Sequence, residues 1–121
     1  MKRIEIGVGG LRQAASAFTR TWERTQSGQR LPEAAPRVDF ESLPVLLAAL
    51  TPRRLELLDV LGSNPGASIR ALAGRLGRDY KNVHGDVVAF VALGLIERDG
   101  SGRLSAPYDE LVIRAPLRIA A

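Results

Sequence analysis

Cysteine is absent from this 121-residue chain, and histidine occurs once, at His84. The first absence excludes disulfides, thiolate metal centres and cysteine nucleophiles. The second excludes a multi-histidine metal site within one chain. Lysine is scarce too: of 17 basic residues, all but Lys2 and Lys81 are arginine. No apolar run approaches the roughly 18 residues a membrane-crossing helix needs. The opening residues alternate too regularly for the apolar core of a secretory leader. A cytoplasmic protein is therefore expected. Asp109-Glu110 is the only adjacent acidic pair. It falls in an extended segment, so the clustered acids of a metal-dependent nuclease are missing. Internal repeats and low-complexity tracts are missing as well.

What is present is enough for one ordinary domain with a small appendage. The chain is 45% hydrophobic and 25% charged, which suffices for a real core. Its formal charge is +4 and its pI near 10.3. Such an excess is compatible with nucleic acid and equally with a solvated basic surface.

Residues 2–10, KRIEIGVGG, place Ile4, Ile6 and Val8 on one face and Arg3, Glu5 and Gly7 on the other, the period of a half-buried strand. Leu11, Ala15, Phe18 and Trp22 then follow helical spacing to about Gln26. Residues 27–37, SGQRLPEAAPR, read as a connector. From Ser42 the chain is strongly apolar. Ser42 and Thr51 are N-cap residues, each followed closely by a proline, Pro44 and Pro52. Leu55, Leu58 and Leu61 are the expected buried stripe of the second of these helices. Asn64-Pro65-Gly66 stops it.

Ser68 caps the next helix, with Ile69, Leu72, Ala73 and Leu76 on one face. Gly77-Arg78 breaks it, and Asp79 is the expected N-cap of a helix from Tyr80 to about Leu93. That helix carries Val83, Val87 and Phe90 or Val91 inward and ends at Gly94. LIERDGSGRL predicts a hairpin, and the segment after Pro107 a last strand. Gly7-Val8-Gly9 begins like a dinucleotide fingerprint. Arg12 occupies the third small position, so the fingerprint fails and a glycine bend is the better reading.

A short helix, a three-residue turn, a longer helix and a hairpin make a helix-turn-helix followed by a wing. Such a fold points the N-terminal turns of its second helix at DNA bases, so polar groups should gather there. They do. Lys81 suits guanine and Asn82 adenine, while Tyr80 and His84 can reach bases or phosphates. Ser68, Arg70 and Arg78 are candidates for gripping phosphates, as are Arg98 and Arg103 on the hairpin. Between Arg70 and Lys81 stand four basic residues and one acid.

LAGRLGRDYKNVHGDV (residues 72–87), LGLIE (93–97) and PYDE (107–110) together resemble the winged helix-turn-helix regulators of a DNA-binding antitoxin family, MarR-like in their winged helix. DYKNVH is the most specific stretch. The opening strand, the amphipathic helix and FESL (40–43) extend the resemblance over most of the chain. It implies a dimeric, autoregulating DNA-binder whose neighbouring gene encodes a toxin. It also implies arginine where this chain has Gly85. Two explanations stand: DNA approaches the backbone closely there, or a phosphate or base contact has been lost and binding weakened.

The expected fold is α+β and mostly helical, a winged helix-turn-helix over 38–121 with an N-terminal strand-helix extension over 1–37. The expected function is sequence-specific binding of double-stranded operator DNA as antitoxin and autorepressor. The alternative is a stand-alone winged-helix regulator responding to a small ligand. His84 has no nucleophile or carboxylate at a suggestive spacing, so no enzyme and no cofactor are expected. Phe18, Trp22, Val88 and Ala92 are the candidate contacts to a second copy or to a toxin. The later helix is apolar on its outward side too, at Val88, Ala89 and Ala92, and must cover that side.

Overall fold

The computed structural model describes residues 1–9 and 36–117. The expected helix over 11–26, with Phe18 and Trp22, lies outside the described residues. The chain divides into two compact units. One consists of Arg3–Leu46 and Leu111–Ala121, the other of Met1–Lys2 and Leu47–Glu110. The described architecture is α+β, with four helices and five short strands among the described residues.

In the first unit, β1 (Arg3–Val8) buries Ile4, Ile6 and Val8, as the alternation requires. It pairs in parallel with β2 (Arg37–Phe40), Glu5 standing opposite Arg37 and Val8 opposite Phe40. This strand is a departure from the sequence reading, which ended a connector at Arg37. Four residues hold too little alternation to register, and the partner strand lies 32 positions earlier. A third strand, β5 (Glu110–Ile113), completes the order β2-β1-β5, and Arg114 N donates to Ile6 O at 2.9 Å. On the exposed side Arg37 spans Glu5 (3.2 Å) and Asp39 (2.8 Å).

Helix α1 (Leu43–Ala49) starts under its expected cap: Ser42 Oγ accepts from Val45 N at 3.4 Å. Pro44 sits in the first turn, where its missing N–H costs nothing. Helix α2 (Pro52–Gly62) starts under Thr51, whose Oγ1 accepts from Arg54 N at 3.3 Å. Its buried residues are Leu57 and Leu61, while Leu55 and Leu58 are half-buried, which corrects the expected stripe. Leu55, Leu57, Leu58, Val60 and Leu61 span so wide an arc that its centre depends on what packs against it.

Helix α3 (Ile69–Leu76) buries Ile69, Leu72 and Ala73, and α4 (Tyr80–Leu93) buries Val83, Val87 and Phe90. Phe90 rather than Val91 faces inward; Val91 is exposed. The two helices end at Gly77 (φ 62°) and Gly94 (φ 79°), left-handed positions where a Cβ would be strained. Arg78 N donates to Ala73 O at 3.1 Å across the first of these ends, so the chain reverses within three residues. Asp79 occupies the cap position of α4 with extended backbone, yet its side chain makes no capping hydrogen bond.

After Leu95 and Ile96, both buried, β3 (Glu97–Arg98) and β4 (Leu104–Ser105) form an antiparallel hairpin. Leu104 N donates to Ala67 O at 2.9 Å and Gly66 N to Leu104 O at 2.8 Å. The segment that leads into α3 is thereby stitched to the hairpin. The core of this unit is the apolar set Leu57, Leu61, Leu72, Val83, Val87, Phe90, Ile96 and Leu104.

Candidate nucleic-acid interface

Ser68 begins the candidate surface. Its Oγ accepts from Ala71 N at 3.1 Å and so closes the N-terminus of α3, which leaves the hydroxyl hydrogen to donate outward. Two residues on, Arg70 is exposed, and its guanidinium lies 5.4 Å from the centroid of the Tyr80 ring. That is within cation–π range. Tyr80, 46% exposed, stands in turn 6.0 Å from the His84 ring at a 32° tilt. Positions 80 and 84 are one helical turn apart, so both rings fall on one face of α4. The structure therefore gathers Arg70, Tyr80 and His84 into a single exposed row running from α3 onto α4.

Lys81 and Asn82 are exposed in the first turn of the same helix and make no hydrogen bond or ion pair with any described residue. Their full donor and acceptor capacity faces outward. Gly85 follows, also exposed, and a Cβ built there would meet nothing within 4 Å. Packing among the described residues does not require glycine at that position.

Arg78 is placed differently from its expected companions. Its side chain is only 17% exposed, and Nη2 donates to Asp86 Oδ2 at 2.7 Å. Asp86 Oδ1 accepts from Arg54 Nε at 3.0 Å, and Arg54 Nη1 donates to Ala49 O at 3.1 Å. The Arg78 guanidinium thus serves the interior, where Nη1 is buried without a hydrogen-bond partner among the described residues. Sequence reasoning misses Asp86. Its only signal is an acid on the apolar half of a helix, eight positions after an arginine across a turn.

Arg98 and Arg103 flank the hairpin tip, and both are exposed. Between them Asp99 organises the turn: its Oδ1 accepts from Ser101 N (2.9 Å), Ser101 Oγ (2.8 Å) and Arg103 N (2.9 Å). The Arg103 and Ser101 hydrogen bonds hold the Asp99 carboxyl below the usual carboxylate range, so the tip keeps one negative charge between two positive ones. Arg103 Nη1 also donates to Gly66 O at 3.4 Å, across an open groove lined by Gly66, Arg98, Asp99 and Arg103.

Farther along α4, Val88 (50% exposed), Val91 and Ala92 form an exposed apolar row. Phe18 and Trp22, the other candidate partner contacts, lie outside the described residues. Among the described residues no cluster of His, Asp and Glu is suited to a metal ion, and no helix is long and apolar enough to cross a membrane.

Fold and surface together define a small α+β protein whose turn between α3 and α4 presents a polar, basic helix end. The family model HVO_A0114 matches residues 49–113, more than half of the chain, and the chain belongs to that family. The match runs from the end of α1 to the end of β5, and so includes every residue of the surface just described. No curated protein and no solved structure matches the chain.

Proposed function

We propose that this protein binds double-stranded DNA in a sequence-dependent way through a winged helix-turn-helix, with α4 as the reading helix and the β3–β4 hairpin as the wing. The observation that carries the reading is the pair Lys81 and Asn82: exposed, unpartnered among the described residues, and set in the first turn beside the Arg70–Tyr80–His84 row. Only the N-terminal turns of a groove-bound helix reach base edges, and lysine and asparagine carry the donor and acceptor patterns suited to guanine and adenine. Ser68, Arg70, Arg98 and Arg103 supply the phosphate contacts that set register. Arg78 leaves that set, because its charge is engaged by Asp86.

The physiological role we propose is repression of the protein's own operon, as the antitoxin of a toxin–antitoxin pair. The resemblance of the 72–87 stretch supports it. The apolar row Val88, Val91 and Ala92 gives a second copy, or the toxin, a surface to cover. A symmetric dimer would engage two half-sites about one DNA turn apart.

The test replaces Lys81 and Asn82 together by alanine. Preference for a duplex enriched by the wild-type protein over a shuffled one should vanish, each lost base contact being worth about 1–3 kcal/mol of discrimination. Weak, salt-sensitive binding should remain. Preference retained at full strength would mean that another element reads the sequence. Expressing the neighbouring gene alone and with this chain tests the antitoxin role. Growth arrest relieved by this protein supports it, and a harmless neighbour refutes it.

A further inference from the structure

The Arg54–Asp86–Arg78 cluster is largely covered and sits one helical turn after Asn82. We infer that Asp86 is the positioning residue of α4, the group that fixes how far and at what rotation the helix offers Tyr80, Lys81, Asn82 and His84. The inference rests on the DNA-binding reading above.

Asp86 is the only acid in α4, and its side chain is 14% exposed. It stands among Val83, Val87 and Phe90, which hold the helix by apolar burial. Burial of that kind is non-directional and leaves rotation and sliding loosely determined. The carboxylate adds direction. One oxygen takes Arg54 Nε at 3.0 Å, and the other takes Arg78 Nη2 at 2.7 Å. Arg54 comes from α2 and is itself tied to Ala49 O at 3.1 Å, while Arg78 comes from the turn immediately before α4. The Asp86 side chain therefore joins the first turn of α2, the interhelical turn and the reading helix, and through Arg54 it reaches the end of α1.

The charge count makes Asp86 indispensable to this arrangement. Two guanidinium groups share a single carboxylate, and Arg78 Nη1 is already buried without a partner among the described residues. Removing the negative charge leaves two part-buried cations facing one another across the pin. Their repulsion would act on the first half of α4. Buried ion pairs often contribute little to stability, so geometry is the property the cluster controls.

The test uses the full chain with Asp86→Asn and Asp86→Glu, each held well below its own melting temperature. Affinities are measured for the duplex enriched by the wild type from a randomised library and for a shuffled duplex of equal composition. In Asp86→Asn, preference should fall at least about tenfold, the scale of one well-formed base contact. Affinity for the shuffled duplex should stay level or rise, because the variant carries one negative charge fewer. A variant that was merely destabilised would keep its preference, since any loss of folded protein lowers both affinities in equal proportion. Asp86→Glu, which keeps the charge, should recover part of the preference.

If Asp86→Asn fails to fold, Arg54→Gln removes the α2 end of the pin while leaving the Arg78–Asp86 pair neutral, and the same loss of preference is expected. Residual dipolar couplings of the α4 amides, measured without DNA, should report a reoriented helix in whichever variant is used. A folded variant with wild-type preference and wild-type couplings overturns the inference. A wild-type protein that discriminates between no duplexes defeats the DNA reading instead, and the couplings then still decide whether Asp86 places α4.

Discussion

Replacing Gly85 by alanine separates what the fold needs from what a bound partner needs. Gly85 is the sixth residue of a 14-residue helix. It is exposed, and its backbone is not among the positive-φ glycines. A Cβ would meet nothing within 4 Å, so alanine brings no clash. It does remove the entropic penalty of glycine inside a helix, about 1 kcal/mol. For a domain of this size that gain should raise the melting temperature by roughly 4 °C, read by far-ultraviolet circular dichroism. An unchanged or lowered melting temperature would refute the argument, since it would mean the folded chain uses the glycine in a way its packing does not reveal. Binding adds the second half. If the phosphate backbone closes onto Gly85, alanine should weaken DNA affinity while raising stability. We expect affinity to hold, the glycine marking a lost contact, and Gly85→Arg to tighten binding and steepen the salt slope by about one phosphate's worth.

Two further outcomes are expected. Val88→Glu should leave the monomer's stability within about 0.5 kcal/mol, because the side chain is half-exposed, yet should reduce self-association in sedimentation; a variant as dimeric as the wild type refutes the use of that row for pairing. The Asp99 carboxyl is held below its ordinary value by the Arg103 and Ser101 hydrogen bonds. Its stabilisation of the hairpin is therefore complete above the unfolded carboxylate value of about 3.9, and is lost as pH falls through the lower folded value. The Ser101 and Arg103 amide resonances should move together in that acid range and not in Asp99→Asn; amides indifferent to acid would refute the assigned turn.

Most helical elements of the second unit are legible in the order of residues alone. Thr51 and Ser68 cap their helices as their residue type and place predict. Gly77 and Gly94 end theirs, and the Asp99–Gly102 stretch makes the hairpin turn. Each is a local event in which the groups that interact are within about five positions of each other. The candidate reading residues are visible for the same reason: Tyr80, Lys81, Asn82 and His84 crowd one and a half turns. Asp79 is the instructive exception, since a cap residue at the cap position leaves its side chain unused.

Long-range pairing is where the sequence falls silent. Strand β2 exists because β1 offers a parallel partner, not because RVDF announces a strand. The buried row of α2 settles on Leu57 and Leu61 because the neighbouring helices select one part of a wide apolar arc. Arg70 is expected from its position to face phosphates alone; only the crossing of α3 and α4 lays it over Tyr80.

Composition, periodicity and caps by themselves determined an α+β chain of short helices with a basic, polar helix end, because those signals are read within a few residues. Tertiary structure alone decided what each charge does. Arg70 and Arg78 lie eight positions apart with the same side chain, and one stacks on an exposed ring while the other turns to an interior carboxylate. The energy of a charge depends on its surroundings, and those are assembled from residues far apart along the chain.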